Sequence, residues 1–382
     1  MTNKNIILGI DASRNRSGGA VTYLINILSN FEHKKTLIHE IHIWVPNELA
    51  SKLPTYPFLK IHTPKFLNKS LLYQLFWQKF LLKKELLRFN CNFLFITDAS
   101  TVSTFKPSVV LNQDILAYEP KMIRKYGFSF KSLRLILIMY LQNKAFKNSN
   151  GVIFLTKYAS SLIQEFTGEI SNVKIIPHGS DGLFKPQSLP IEAKKLSNKI
   201  SCLYVSPILF YKNHFNLIKA VSILISRGVN IELNCIGKVE RKEYKRLSKL
   251  IRHLGLNNKT IKFMGEIQKE KLVDYHHQSD IYLFASSCES FGISLLDAMS
   301  CGIPIASSSY SSINETLEDG GIYFDPYDVN SIVSSVIKLI SDDKLRFSIS
   351  KKAHEISKKY SWKESAKHTF EFIEDTYKIY KS

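Results

Sequence analysis

The chain has 382 residues, 45% of them apolar, with 52 Lys and Arg against 33 Asp and Glu and a net charge of +19. That length supports two domains, each able to bury a full core. No run of about 18 uncharged apolar residues occurs, which argues against a membrane-spanning helix, and the apolar stretch at residues 6–10 is too short for a secretory leader.

The charge is uneven. Residues 1–180 hold 23 Lys and Arg against 10 Asp and Glu. This asymmetry predicts an anionic partner for the first half, such as a membrane surface or a phosphorylated substrate. The five cysteines (Cys91, Cys202, Cys235, Cys288, Cys301) are scattered and sit mostly in apolar runs. Their pattern predicts reduced core thiols and a cytoplasmic protein. No cluster has zinc-ligand spacing, and His276-His277 is expected on a polar surface.

In chain order, β-branched runs predict strands over 6–10, 41–45, 93–96, 109–111 and 152–155. Amphipathic stretches predict helices over 21–31, 70–89, 130–146 and 159–166. Val173-Lys-Ile-Ile-Pro-His-Gly179 reads as a strand running into a turn, and a linker is expected over 178–198, with a Lys-rich stretch at 193–199. The second half predicts strands over 202–205, 232–236, 261–264, 281–284 and 304–306. It predicts helices over 213–227, 243–254, 269–278, 294–299 and 329–339. Such alternation gives parallel sheets covered on both faces. The expected fold is therefore α/β, with two Rossmann-like domains over 1–180 and 181–360 and a tail over 361–382.

The most informative segment is Glu289-Ser-Phe-Gly-Ile-Ser-Leu-Leu-Asp297. It joins a strand to a helix through a glycine turn. A helix start presents backbone N–H groups and suits phosphate. Two carboxylates eight residues apart at that mouth, one in the turn and one in the first helical turn, suit hydroxyl pairs, because O–H···O⁻ bonds are short and strong. Phosphate with two hydroxylated groups describes a nucleotide sugar. The alternative is acidic capping of a helix. Arg16-Ser-Gly18-Gly19 follows the first strand, where glycines let a backbone approach a ligand closely. Lys212 follows the first strand of the second half. Asn112-Gln113-Asp114 ends another strand. Asp114 either orients or deprotonates an acceptor hydroxyl or caps the turn that follows.

The string from Glu289 to Pro304 resembles the Glu-x7-Glu signature of glycosyltransferase family 4, retaining enzymes of GT-B fold, with Asp297 in place of the second Glu. Ile176-Pro-His-Gly179 with Asp181, Phe184 and Pro186 resembles that family's inter-domain stretch, and residues from Tyr360 resemble its C-terminal helix. The resemblance implies a last helix crossing back to the first domain, with Trp362 as its anchor. It implies that Glu289 contacts donor-sugar hydroxyls and that Ser290, Phe291, Gly292 and Ile293 meet phosphate or sugar. Asp297 would hold the ribose, Gly265 and Ile267 the nucleobase, and Arg16, Gly18, Gly19 and Lys212 the diphosphate. Glu315 matches a helix-start acid frequent in the family. Three departures stand out. Pro207 occupies the place of an expected arginine, Gln113-Asp114 that of an expected histidine, and Asp297 is one methylene shorter than Glu.

The implied activity is metal-independent transfer, with retention, from a nucleotide-diphosphate sugar to a hydroxyl of a growing, lipid-linked surface glycan. No cofactor and no metal are expected. There is no Asp-x-Asp of the kind metal-dependent GT-A enzymes use, and no Walker or Gly-x-Ser-x-Gly motif. Rival readings are a nucleotide-sugar epimerase, a non-catalytic sugar-binding partner and a nucleic-acid-binding protein, the last without any supporting motif. Two basic amphipathic stretches predict peripheral attachment at the inner face of the cytoplasmic membrane. One is 70–89, with Leu71, Leu72, Leu75, Phe76 and Phe80 beside Lys79, Lys83, Lys84 and Arg88. The other is 121–147, with Phe128, Phe130, Leu135, Ile136 and Ile138 beside Lys121, Arg124, Lys125, Lys131 and Arg134. The alternative is that both bury these apolar residues in the core.

Overall fold

A computed structural model describes residues 6–16, 18–127, 129–188, 196 and 198–382. The chain divides into two compact units, Met1–Gly179 with Ser361–Ser382, and Ser180–Tyr360. Most of the expected linker's Lys-rich stretch, and Phe128 of the second basic segment, lie outside the described residues.

The first unit runs β1 (Ile6–Asp11), α1 (Gly19–Ser29), β2 (Ile38–Trp44), α2 (Asn47–Ala50) and β3 (Leu59–His62). It continues with α3 (Leu71–Phe76), a π-helical turn (Trp77–Leu81), α4 (Leu82–Arg88), β4 (Phe93–Ile96) and β5 (Ser108–Leu111). Then come α5 (Pro120–Tyr126), α6 (Phe130–Asn148), β6 (Gly151–Phe154), α7 (Lys157–Thr167) and β7 (Val173–Ile175). The second unit runs β8 (Ile200–Val205), α8 (His214–Ser226), β9 (Ile231–Ile236), α9 (Arg241–His253), β10 (Ile261–Gly265) and α10 (Lys269–Gln278). It closes with β11 (Ile281–Phe284), α11 (Ile293–Cys301), β12 (Ile305–Ser308), α12 (Ile313–Leu317), β13 (Ile322–Phe324), α13 (Val329–Ser341) and α14 (Asp343–Ser357). The last helix, α15 (Trp362–Lys381), belongs to the first unit.

Both sheets are parallel, in the orders β3-β2-β1-β4-β5-β6-β7 and β10-β9-β8-β11-β12-β13. Strands covered on both faces read as apolar runs rather than alternations, and β4, β5, β6 and β11 are buried throughout. Each order reverses once, between β1 and β4 and between β8 and β11. Ligands of such sheets gather outside the carboxyl ends at that reversal. Helix starts follow local rules: Thr156 accepts from the Ala159 amide to cap α7, and Asp342 accepts from Leu345 to cap α14.

α15 is fixed by aromatic packing. The buried Trp362 ring stands edge-on to Tyr23 at 6.1 Å and lies 5.3 Å from His178. Tyr23 is hydrogen-bonded to Thr369 at 3.2 Å, and Glu374 accepts the Leu37 amide at 2.6 Å. A Cβ on Gly179 would sit 1.9 Å from the Trp362 amide nitrogen, so glycine is required there.

Several sequence expectations are corrected. His276 is not a surface residue: it is fully buried, stacked on Tyr282, and its Nδ1 lies 2.8 Å from the Leu272 carbonyl. Burial pulls its pKa down to about 4, leaving it neutral. The elements β3, β13, α2, α5, α12 and α14 were not among those expected. Most are too short to show a period, and β3 reads Leu-Lys-Ile-His. The expected helix over 70–89 is a composite, interrupted by the π turn.

The part of that composite before α4 is turned inside out, whereas α4 buries Leu82 and Leu86. The composite's first two turns bury Gln74, Trp77 and Gln78. They expose Leu71, Leu72, Tyr73, Phe76 and Phe80, Leu72 by 76%. α6 behaves similarly, exposing Phe130 by 83% together with Leu133, Ile136, Leu137 and Tyr140 while burying Ser132 and Gln142. Of the expected outer set, Leu135 is buried, and Leu75 and Ile138 are half-buried.

Candidate active site

The reversal between β8 and β11 in the second unit assembles the charged centre. After β8 the chain turns through Phe210–Lys212 and reaches Asn213 in the left-handed conformation, φ 53°. The Asn213 side chain donates to the Ala285 carbonyl at 2.8 Å, just past β11. Ser287 donates from both its amide and its hydroxyl to the Tyr211 carbonyl, at 2.9 and 3.0 Å. The Tyr204 hydroxyl holds the Lys212 carbonyl at 2.9 Å. These bonds stitch the two loops together. The stitched loops bring the Lys212 ammonium onto the Glu289 carboxylate, with both side chains largely buried.

Glu289 is fixed through its backbone as well. Its amide donates to the Ser311 hydroxyl at 3.0 Å, and its carbonyl accepts from Ser311 at 2.8 Å and Ser312 at 2.7 Å. Ser311 holds φ 64°, a strained value for a residue with a Cβ. The Thr316 hydroxyl donates to the Phe291 carbonyl at 3.0 Å. The Phe291 ring is buried edge-on to Tyr360. Ser290 joins Glu289 to Phe291. Gly292, at φ 96°, opens α11 with no side-chain cap, so Ile293 and Ser294 present first-turn amides of the kind a helix leaves without an internal acceptor.

Asp297 lies in the second turn of α11, not the first as the sequence suggests, and is buried. Desolvation raises its pKa to about 7, opposed by the Lys269 charge and reinforced by Asp181. Lys269 opens α10, pairs with the Asp181 carboxylate and stands 5.8 Å from the centre of the Phe184 ring. Lys269 was not read from the sequence, since a lysine at a helix start carries no signal of its own. Gly265 ends β10 at φ 71°, and its carbonyl accepts the Gly237 amide at 2.8 Å. Glu266 and Ile267 follow in the loop before α10. Gly237 was also missed: at φ 146°, a Cβ there would lie 2.3 Å from the Ser206 carbonyl oxygen. A lone glycine after a strand was the available signal.

In the first unit the reversal between β1 and β4 is closed by polar side chains. Asp11 is buried; its carboxylate accepts the Ser13 amide at 3.1 Å and the Gln78 side chain at 2.8 Å. Burial raises its pKa in spite of those bonds. The exposed Arg16 donates to the Leu67 carbonyl, and Gly18 opens α1 at φ 64°, with Gly19 its first residue. Asp114 accepts the Leu116 amide at 2.8 Å, the turn-capping geometry, and its carbonyl accepts from Asn112. Gln113 donates to the Thr97 carbonyl at 3.0 Å. Among the described residues no group of three His, Cys, Asp or Glu is placed to hold a metal ion.

Residues 187–356 match the family described as Glycosyl transferases group 1. The O-antigen chain mannosyltransferase B of Escherichia coli is 30% identical over 108 residues, 28% of each chain. The curated relatives it matches are spanned over about half their length or less, 57% in the fullest of the first few. Among solved structures, a sucrose-phosphate synthase from Thermosynechococcus elongatus superposes with a TM-score of 0.77 at 16% identity, over 95% of this chain and 97% of that one. The Anabaena protein HepE in complex with UDP and glucose gives 0.73 at 19% identity, over 96% and 98%. These likenesses establish the architecture as that of GT-B glycosyltransferases.

Proposed function

We propose that this chain is a glycosyltransferase of the group 1 family, whose model matches residues 187–356, and that it moves a sugar, with retention and without a metal ion, from a nucleotide-diphosphate sugar to a hydroxyl of a lipid-linked surface glycan. The observation that carries this is the Lys212–Glu289 pair at the sheet reversal, in front of the glycine-opened α11. As the bond between the anomeric carbon and the diphosphate breaks, negative charge grows on the leaving oxygen. Lys212 and the first-turn amides of α11 are positioned to stabilise it in place of a divalent ion. Glu289 fixes the ammonium and offers its other oxygen to a donor-sugar hydroxyl. Asp297 takes the ribose, Gly265 and Ile267 flank the nucleobase, and Asp114 orients the acceptor. Arg16, Gly18 and Gly19 contribute to the diphosphate grip. UDP in the Anabaena structure supports a nucleotide donor, and the name of the Escherichia coli relative supports a surface-glycan acceptor.

The test is a panel of nucleotide sugars and glycan acceptors read by released nucleotide, with the product's anomeric configuration read by NMR. Retained configuration in one donor–acceptor pair supports the reading. Tight donor binding without release across the panel would leave a non-catalytic sugar-binding protein.

The place of action proposed is the inner face of the cytoplasmic membrane, with the first unit attached peripherally. None of the described helices is long and apolar enough to cross a membrane. The support is the inside-out segment 71–81 and the outer face of α6. Exposed Lys79, Lys83, Lys84 and Arg88 accompany the first of these, and each basic residue near an anionic surface contributes about 1 kcal/mol. Co-sedimentation with anionic vesicles that weakens in high salt is the expected result; equal binding to neutral vesicles would remove the electrostatic part.

A further inference from the structure

The segment 71–81 is unusual on both faces at once. Its outer face is aromatic and aliphatic, with two cations set over exposed rings: Lys69 stands 4.8 Å from the centre of the Tyr73 ring and Lys79 5.4 Å from that of Phe80. Its inner face carries amides where apolar residues normally pack. Gln74 donates to the Lys69 carbonyl at 2.8 Å, which anchors the start of the helix. Gln78 donates to the Asp11 carboxylate at 2.8 Å and approaches the Ser13 hydroxyl at 3.1 Å, both at the carboxyl end of β1. Arg16 is held on the Leu67 carbonyl, in the 3-10 turn just before this helix. The strand-end residues 11–16 are therefore tied to the helix at Asp11 and Ser13, and to the turn before it at Arg16.

The backbone is adapted to this tie. Gln78 lies inside the π turn Trp77–Leu81. A π turn inserts a residue into an α-helix and re-aims the side chains beside it; such insertions recur at functional sites. Trp77, next to Gln78, is buried within 6.4 Å of Trp44. The turn thus seats a tryptophan in the core and an amide on Asp11, while Phe76 and Phe80 stay outside.

We propose that Gln78 is a positioning residue for transfer: it couples the docking of the inside-out helix on an anionic lipid surface to the placement of residues 11–16. The inference rests on the transferase reading above and adds to it that attachment raises turnover, beyond bringing the enzyme to its acceptor. The occupant of the outer face is a bilayer. Aromatic and aliphatic side chains enter the acyl boundary while Lys69, Lys79, Lys83, Lys84 and Arg88 meet anionic headgroups. A docked helix samples fewer orientations, and its two side-chain bonds pass that restriction to Asp11 and Ser13.

The experiment measures nucleotide release with a water-soluble glycan acceptor, so that co-localisation on the membrane contributes nothing. It compares protein alone, protein with phosphatidylcholine vesicles, and protein with vesicles containing phosphatidylglycerol. For the unaltered protein, kcat is expected to rise about threefold or more on anionic vesicles alone. Gln78→Leu keeps the side-chain volume and removes both bonds. It is expected to co-sediment normally, to lose the stimulation and to show a raised donor KM. The triple change Leu72→Ser, Phe76→Ser, Phe80→Ser is expected to keep the basal rate and lose both binding and stimulation. If Gln78→Leu does not fold, Ser13→Ala, which removes one of the two bonds, is expected to halve the stimulation. Stimulation of Gln78→Leu equal to that of the unaltered protein overturns the coupling, as does an unaltered protein that binds anionic vesicles with no change in kcat. A protein that releases no nucleotide under any condition overturns the transferase reading itself, a distinguishable failure.

Discussion

The two units are built on one topology and use it differently. Each is a parallel sheet that reverses once, and in each the helix after one strand of the reversal opens on a glycine with positive φ and no side-chain cap, α1 on Gly18 and α11 on Gly292. In the second unit the crevice is charged: Lys212 meets Glu289, and Asp297 lies one helical turn deeper. In the first unit the corresponding strand end is closed, with Asp11 covered by Ser13 and Gln78. The topology is shared, and a few loop side chains decide whether a strand end carries a buried charged pair or a hydrogen-bonded brace.

The change expected to break this contrast most severely is Lys212→Met. It removes the cation proposed to face the leaving diphosphate and leaves Glu289 buried without its partner. Turnover should fall about a hundredfold, read as kcat in the nucleotide-release assay with circular dichroism as the folding control. Near-normal kcat would move the charge stabilisation elsewhere.

Glu289→Gln keeps the shape and removes the charge. Turnover should fall about tenfold or more, and the double variant with Lys212→Met should lose far less than the product of the two single losses, because residues in contact are not additive. Multiplicative losses would show that the two side chains act independently.

A smaller effect sharpens the role of Asp297. Its pKa is raised to about 7, so the folded second unit favours the protonated form. Its contribution to stability is therefore present at low pH and is lost as pH rises through about 7. Asp297→Asn should accordingly show relatively higher thermal stability than the unaltered protein at pH 8 than at pH 5. On the proposal that Asp297 takes the ribose, the diol prefers its carboxylate form, so nucleotide affinity should strengthen about twofold to fivefold from pH 6 to pH 8. The Asn variant should show a flat profile in calorimetric titration. A parallel slope in both proteins would place the titrating group elsewhere.

The smallest expected effect is none at all: on the proposed mechanism, in which Lys212 and the α11 amides take the role of a divalent ion, excess EDTA should leave turnover unchanged. Activity lost in chelator and restored by magnesium or manganese would overturn the metal-free mechanism.

The sequence by itself determined the fold class and the centre of the second unit. Short apolar runs such as Phe93–Ile96 and Ile281–Phe284, set between longer amphipathic stretches, read as strands of a doubly covered sheet, and the strand–glycine–helix passage through Gly292 is a local pattern. Local chemistry specifies local structure, so Glu289, Gly292 and Lys212 were all legible as candidates. Their meeting was not. Lys212 and Glu289 are 77 residues apart, and their contact depends on the reversal of strand order together with the bonds from Asn213 and Ser287. The same limit applies to Lys269 beside Asp181, to the burial of His276, and to the direction in which segment 71–81 faces. A period of 3.6 shows that a helix has an apolar stripe, but the surrounding packing decides whether that stripe faces in or out. Here Trp77 and Gln78 took the inner face, and tertiary structure alone decided it.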